Sequence, residues 1–182
     1  MNLRPVLLLC ALFPFTTFSS YANTVLGTLS GQIGVQVTIS EGCTVGNNNS
    51  KGTVNEWGSI NFGTYADLSN IINGTVLGSN GTDTVTVTCT SGLSPTLKLD
   101  GGVNETAKNL RSMISGSTTI PYRLYSDASY SKEIAVDGSI SLTSDGTAQN
   151  IPIYGRIIPS DQLSSAPTAG TYTDTVTATL SW

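Results

Sequence analysis

The chain reads as an all-β protein, an antiparallel sandwich forming one domain. Three observations predict this. Two long segments, residues 29–40 and 172–182, alternate between apolar and polar side chains, the first strictly, the period of a strand with one buried and one wet face. Short stretches rich in Val, Ile, Thr and Tyr fill most of the rest, and turn signals such as Asn-Gly and Asp-Gly recur about every ten residues between them. Charged residues make up only 11% of the chain while Gly, Ser, Thr and Asn are abundant, a composition common in extracellular β proteins.

The elements follow in order. Met1 to Pro5 carry one positive charge, Arg4, before an apolar run from Val6 to Phe15, and Ser20-Tyr21-Ala22 places small residues where a signal peptidase reads them. This is a secretory signal over residues 1–22, cleaved after Ala22. Its apolar run is too short for a membrane span, and Leu9 before Cys10 is too large for a lipoprotein site. Cleavage leaves 160 of the 182 residues and changes the net charge from −4 to −5 by removing Arg4. That length suffices for one domain with its own core. No further run of about 18 apolar residues follows, so the secreted chain is expected not to span a membrane by a helix. No basic cluster occurs either, which argues against a nucleic-acid partner.

In residues 29–40, Leu29, Gly31, Ile33, Val35, Val37 and Ile39 share one face, and Ser30, Gln32, Gly34, Gln36, Thr38 and Ser40 share the other. A segment so near the mature N-terminus, with so regular an apolar face, needs a groove to lie in. Cys43 and Cys89 remain after Cys10 leaves with the signal; an even pair in an oxidising compartment is expected to form a disulfide, worth roughly 4 kcal/mol for a loop of this size. The alternatives are two free thiols or a metal site, but the chain has no histidine and no second thiol pair to complete a zinc shell.

Residues 44–55 read as a polar loop and 59–63 as a short strand, with tight turns expected at Asn73-Gly74 and Asn80-Gly81. Residues 83–90 alternate again and put Val85, Val87 and Cys89 on one face. Residues 96–100 are a strand ending in the Asp100-Gly101-Gly102 turn. The stretch 107–113 is read as a short helix or an irregular crossover. Strands are expected over 119–125, with Pro121 marking an edge or a bulge, over 139–142 and over 150–157, followed by a polar loop at 159–169. In the last strand Tyr172, Val176, Ala178, Leu180 and Trp182 share a face, which Asp174 interrupts.

Enzymatic readings lack their parts. Without histidine the commonest general base and triad base are absent, and no Ser-x-x-Lys or phosphate-cradling motif occurs. Asp100, Asn104 and Glu105 fit no EF-hand spacing and read as a solvated turn. The sequons at Asn48, Asn73, Asn80 and Asn104 read as chance products of an Asn- and Thr-rich chain. No cofactor or small-molecule substrate is indicated.

Taken together and in order, T-L-S-G-Q-I-G-V-Q-V-T-I-S, E-G-C-T-V-G around Cys43, I-N-F-G at residues 60–63, V-T-V-T-C at 85–89, I-P-I-Y-G-R-I at 151–157 and G-T-Y-T-D-T-V-T-A-T-L-S-W at 170–182 resemble the pilin subunits of the chaperone–usher pathway. More narrowly, they resemble the archaic, Csu-type subunits of the spore coat protein U domain family. The resemblance implies an incomplete immunoglobulin-like sandwich that lacks its final strand and is completed by donor-strand exchange. Residues 23–40 would be the donor segment and 41–182 the pilin domain. Leu29, Ile33, Val35, Val37 and Ile39 would plug a neighbour's groove, with Gly31 over a shallow place in it. The last strand would border the groove. The implied partners are neighbouring pilin subunits, a periplasmic chaperone and an outer-membrane usher, and the implied location is an extracellular pilus serving adhesion and biofilm formation. A second reading of a different class is a closed, monomeric carbohydrate-binding sandwich that uses Trp57, Tyr65 or Tyr130 as stacking platforms.

Overall fold

Period-two sequences form strands only where another backbone completes their hydrogen bonds, and the computed structural model shows which of them find one. It describes residues 29–47, 56–78, 81, 83–105 and 109–182; the expected secretory signal, residues 23–28, Asn48 and Asn80 lie outside these. The chain divides into two units, Met1–Val37 and Thr38–Trp182. In the first, residues 29–37 form no strand, and the same holds for residues 38–40 at the start of the second. Leu29, Ile33, Val35, Val37 and Ile39 are 78–101% exposed. The strand expected here is therefore not formed: its alternation is intact, but its backbone has no ladder to join.

Among the described residues the second unit holds twelve strands: β1 (Cys43–Gly46), β2 (Ser59–Ile60), β3 (Ile72–Leu77), β4 (Thr86–Cys89), β5 (Thr96–Leu99), β6 (Arg111–Ser115), β7 (Thr118–Tyr125), β8 (Glu133–Ile134), β9 (Ser139–Ser141), β10 (Gln149–Asn150), β11 (Tyr154–Ile157) and β12 (Ala178–Ser181). They form sheets of order β1-β4-β10, β2-β3-β11-β7-β6 with β8 on β7, and β12-β5-β9, and every pairing is antiparallel. Val87 and Cys89 of β4, with Val85 just before it, Leu97 and Leu99 of β5, and Ile120, Tyr122 and Leu124 of β7 meet in one core. Among the described residues there is no α-helix, only a 3₁₀ turn at Pro159–Asp161.

Several local expectations give way to tertiary context. Residues 44–46, read as loop, continue β1 against β4. Asn73-Gly74 is no turn but part of β3, with Gly74 opposite Gly155 of β11. A Cβ at Gly74 would lie 2.7 Å from Ile60 Cγ2, and one at Gly155 would lie 2.7 Å from the Phe62 ring. Both glycines exist for that close approach rather than for a turn. Asn150 and Ile157 do not share a strand: β10 pairs with β4 and β11 with β3 and β7. The chain changes sheets at Pro152, between the buried Ile151 and Ile153. Pro121 lies within the interior strand β7, but its partner there is Ser112 of β6, whereas β11 pairs only with residues 123–125. The position is a local edge within a central strand.

The stretch read as helix or crossover holds strand β6, anchored by its first residue. Arg111 is 3% exposed. Its guanidinium donates hydrogen bonds to the carbonyls of Asp100 (2.7 Å), Ile134 (2.7 Å), Leu99 (3.1 Å) and Ala135 (2.9 Å). Burial pushes its pKa down while nearby oxygens, first the Tyr122 hydroxyl, oppose the shift. One side chain thus ties the end of β5 to β6 and β8. Arg111→Met would leave these carbonyls without that donor, at a cost of about 2 kcal/mol or more; a drop in urea midpoint at unchanged m-value would register it.

Candidate functional site: an apolar cavity between two sheet edges

β2 ends one sheet order and β12 ends another. Between these edges lies a cavity of about 940 Å³. One wall is the chain from Glu56 to Phe62, including β2; the other is the approach to β12, from Tyr172 to Ala178. Val85, Leu99, Leu124 and Ile153 are among the core side chains that face it. Apolar core residues that line an open cleft between two strand edges mark a place where the sandwich is one strand short.

Each wall has a local cause. Ile60 of β2 and Phe62 just after it lie over the Gly74–Gly155 pair, whose lack of side chains lets them settle onto the sheet. On the other wall, inward and outward residues alternate as the sequence predicts: Tyr172, Asp174, Val176, Ala178 and Leu180 are half-buried, while Thr173, Thr175, Thr177, Thr179 and Ser181 are exposed. Tyr172, Val176 and Ala178 line the cavity. Leu180 lies opposite Leu97 on β5 and packs against the core, and Trp182 is 58% exposed. The wall is not one continuous strand: Thr173 bridges to Ile114 of β6, and pairing with β5 begins at Ala178.

The cavity contains one polar island. The Tyr122 hydroxyl donates to Asp174 Oδ2 at 2.7 Å. Burial, then this hydrogen bond, pushes the phenol's pKa well above its ordinary value. Asp100, beside this wall, accepts from the backbone N–H groups of Gly102 (2.9 Å) and Thr177 (2.8 Å). Burial pushes its carboxyl up, but hydrogen bonds, first from the Thr177 side chain and then from these two N–H groups, outweigh that and hold it below the usual carboxylate range.

Cys43 and Cys89 are joined as a disulfide between directly opposed residues of β1 and β4. The bridge begins three residues after Ser40. In between, Gly42 donates to the Thr90 hydroxyl at 3.2 Å and the Thr90 N–H donates to the Gly42 carbonyl at 2.9 Å. The root of the N-terminal segment is thereby fixed to the core strand β4.

The wall from Glu56 to Phe62 holds the short strand expected at 59–63, formed only over Ser59–Ile60, and the sequence alone does not mark it as a cavity wall. Its signal is three apolar residues, Trp57, Ile60 and Phe62, in a polar neighbourhood. The aromatics considered as sugar platforms do not converge. Trp57 lines the cavity, and Tyr65 is 57% exposed. Tyr130 has its ring under the Arg156 guanidinium, 3.7 Å from the centroid, and edge-on to Tyr125 and Tyr154. Among the described residues no group of three or more His, Cys, Asp or Glu is placed to hold a metal.

Comparison with known proteins bears on this geometry. No curated protein sequence matches the chain. Among solved structures, a chain of the CsuC–CsuE chaperone–tip adhesion subunit pre-assembly complex from archaic chaperone–usher Csu pili of Acinetobacter baumannii is similar. It shows 20% identity and a TM-score of 0.51 over 80% of this chain, which spans 40% of that chain's length. A chaperone–usher pilus structure matches at 13% identity and a TM-score of 0.49, over 88% of this chain and 99% of that one. The first likeness shows the fold, an incomplete immunoglobulin-like antiparallel sandwich. The spore coat protein U domain matches residues 29–179. That span takes in the N-terminal alternating segment together with both walls of the cavity, and the chain belongs to the spore coat protein U domain family.

Proposed function

We propose that this chain is a structural subunit of a secreted bacterial pilus, and that subunits join when residues 29–39 of one fill the cavity of the next. One observation carries the reading. The same chain holds an apolar cavity between two strand edges and an exposed apolar face of strand periodicity that belongs to no strand. The two are complementary in kind: an extended segment of that length reaches about 35 Å, and residues 172–178 and 56–62 line the gap. Burying Leu29, Ile33, Val35, Val37 and Ile39 at about 1.5–3 kcal/mol each amounts to the order of 10 kcal/mol before ordering costs. A backbone ladder would set the register. Gly31 keeps the phase without a side chain and suits a shallow place in the groove.

On this reading residues 23–40 are the donor segment and 41–182 the domain that receives one. Before assembly the cavity needs a cover, which a periplasmic chaperone provides with a strand of its own until an outer-membrane usher exchanges it. The finished polymer lies outside the cell, where it supports adhesion and biofilm formation. No catalytic step, cofactor, nucleic acid or small-molecule substrate enters this function.

The test is the state of the free subunit. Expressed alone in the periplasm, the chain is expected to aggregate or be degraded, because the cavity exposes apolar side chains beside unpaired strand edges. Co-expression with the cognate chaperone is expected to give a soluble one-to-one complex on size exclusion. A monomer stable without any partner would instead favour the closed carbohydrate-binding sandwich.

A further inference from the structure

The run Gly170-Thr171-Tyr172-Thr173-Asp174 ends in a carboxylate on the otherwise apolar face of the cavity wall. At this point the C-terminal segment passes from one sheet to another. Thr173 exchanges both backbone hydrogen bonds with Ile114 of β6, at 2.9 and 3.2 Å. Thr175 and Thr177 direct their carbonyls the same way, but to Val103 and Asp100 beyond the end of β5, each at 3.1 Å. No continuous ladder spans the step, and the Asp174 side chain does. Its Oδ2 accepts from the Tyr122 hydroxyl of β7 at 2.7 Å, and its Oδ1 accepts from the Val103 N–H at 3.1 Å and from Asn104 Nδ2 at 3.2 Å. Gly102 lies so close to this carboxylate that any Cβ there would collide with it. The neighbours of Asp174 in the run hold the same stretch: Gly170 lets the chain pass Ser115 Oγ, where a Cβ would come within 2.6 Å, and the Tyr172 hydroxyl donates to the Thr168 carbonyl at 2.7 Å.

This anchoring has a consequence for the free edge. Successive residues of an extended chain point their backbone groups to opposite sides. Thr173 and Thr177 spend both of theirs on the domain and Thr175 its carbonyl, so the N–H and C=O of Asp174 and Val176 face the other side, along the open edge. Their direction depends on holding the step.

We propose that Asp174 is a positioning residue for strand capture: its carboxylate bridges β7 and residues 103–104 and so sets the edge at 174–176 in register for an incoming strand. The proposal rests on the pilin reading above. Its action is on how tightly the captured strand is held, not on whether the domain folds, because Thr173 and β12 attach the segment on both sides without it.

To test it, the mature chain is refolded at low concentration with an excess of fluorescent peptide of residues 29–40, and release of captured peptide is followed after dilution into unlabelled peptide. Near-UV circular dichroism reports folding in parallel. Asp174→Ala is expected to keep the folded signal and release peptide about tenfold faster, the loss of roughly one charge-assisted hydrogen bond. Asp174→Asn, which keeps the Oδ1 acceptor, is expected to recover most of the difference. Wild-type release rates in Asp174→Ala would overturn the proposal, and so would loss of the folded signal in both variants, which would make Asp174 a residue of the fold alone. Failure of the unmodified chain to capture any peptide would instead overturn the pilin reading beneath it.

Discussion

Val35→Asp and Val37→Asp are expected to abolish polymerisation while leaving a subunit that folds and still binds its chaperone. The two valines are 94% and 81% exposed, so a charge at either position removes nothing from the core of the subunit that carries it. In an assembled fibre the same carboxylate would sit unpaired in a neighbour's apolar cavity, at a cost of several kcal/mol, against a gross gain on the order of 10 kcal/mol for the whole strand. Gln36→Asp lies on the opposite, wet face of the segment and is expected to be nearly silent. Chaperone-complex yield together with heat-resistant ladders on unboiled gels separates assembly from folding. A Val35→Asp subunit that polymerises normally would sink the donor assignment. One that loses the complex as well would place the strand in its own domain's core.

Cys89→Ser is expected to have the largest effect on stability. The bridge to Cys43 closes a separation of 46 residues, worth roughly 4 kcal/mol in the chain-entropy account. Cys89 is itself 3% exposed, so a serine hydroxyl would also enter the core. Typical domain stabilities run about 5–15 kcal/mol, and a sandwich with an open cavity sits toward the lower part of that range. Periplasmic accumulation of the variant should therefore fall steeply, and thermal unfolding of its chaperone complex should begin at lower temperature. A variant that accumulates like the wild type would show that the rest of β1, including Val45 against the core, holds the root of the donor segment unaided.

Both predictions draw on what a single sequence shows best, which is phase. Side-chain alternation is a local property with period two. The inward assignment of Val85, Val87 and Cys89 therefore matches their near-complete burial, and that of Val176 and Ala178 matches their place on the cavity wall. The pairing of Cys43 with Cys89 was legible because Cys10 falls in the expected signal, which leaves one pair. Partnership is not local. Residues 111–115 carry no strong strand signal, and they are a strand because β7 lies beside them and because the carbonyls around Arg111 accept its guanidinium. Asn73-Gly74 has turn chemistry, yet Phe62 and Ile60 use the missing side chains of Gly74 and Gly155 as a floor. Pro152 divides one apparent strand between two sheets because β10 pairs with β4 and β11 with β3, which belong to different sheets.

By itself, then, the sequence determined the class of the protein, the face that residues 172–180 turn inward, the disulfide and the apolar face of residues 29–39. Only the tertiary structure decided where the open cavity lies, between the wall from Glu56 to Phe62 and the approach to β12. It alone gave the carboxylate of Asp174 its role at the step between sheets. The physical reason is that alternation sets which way a side chain points, whereas a cavity is made of edges far apart in the chain whose neighbours are chosen by packing and by hydrogen bonds that no local pattern records.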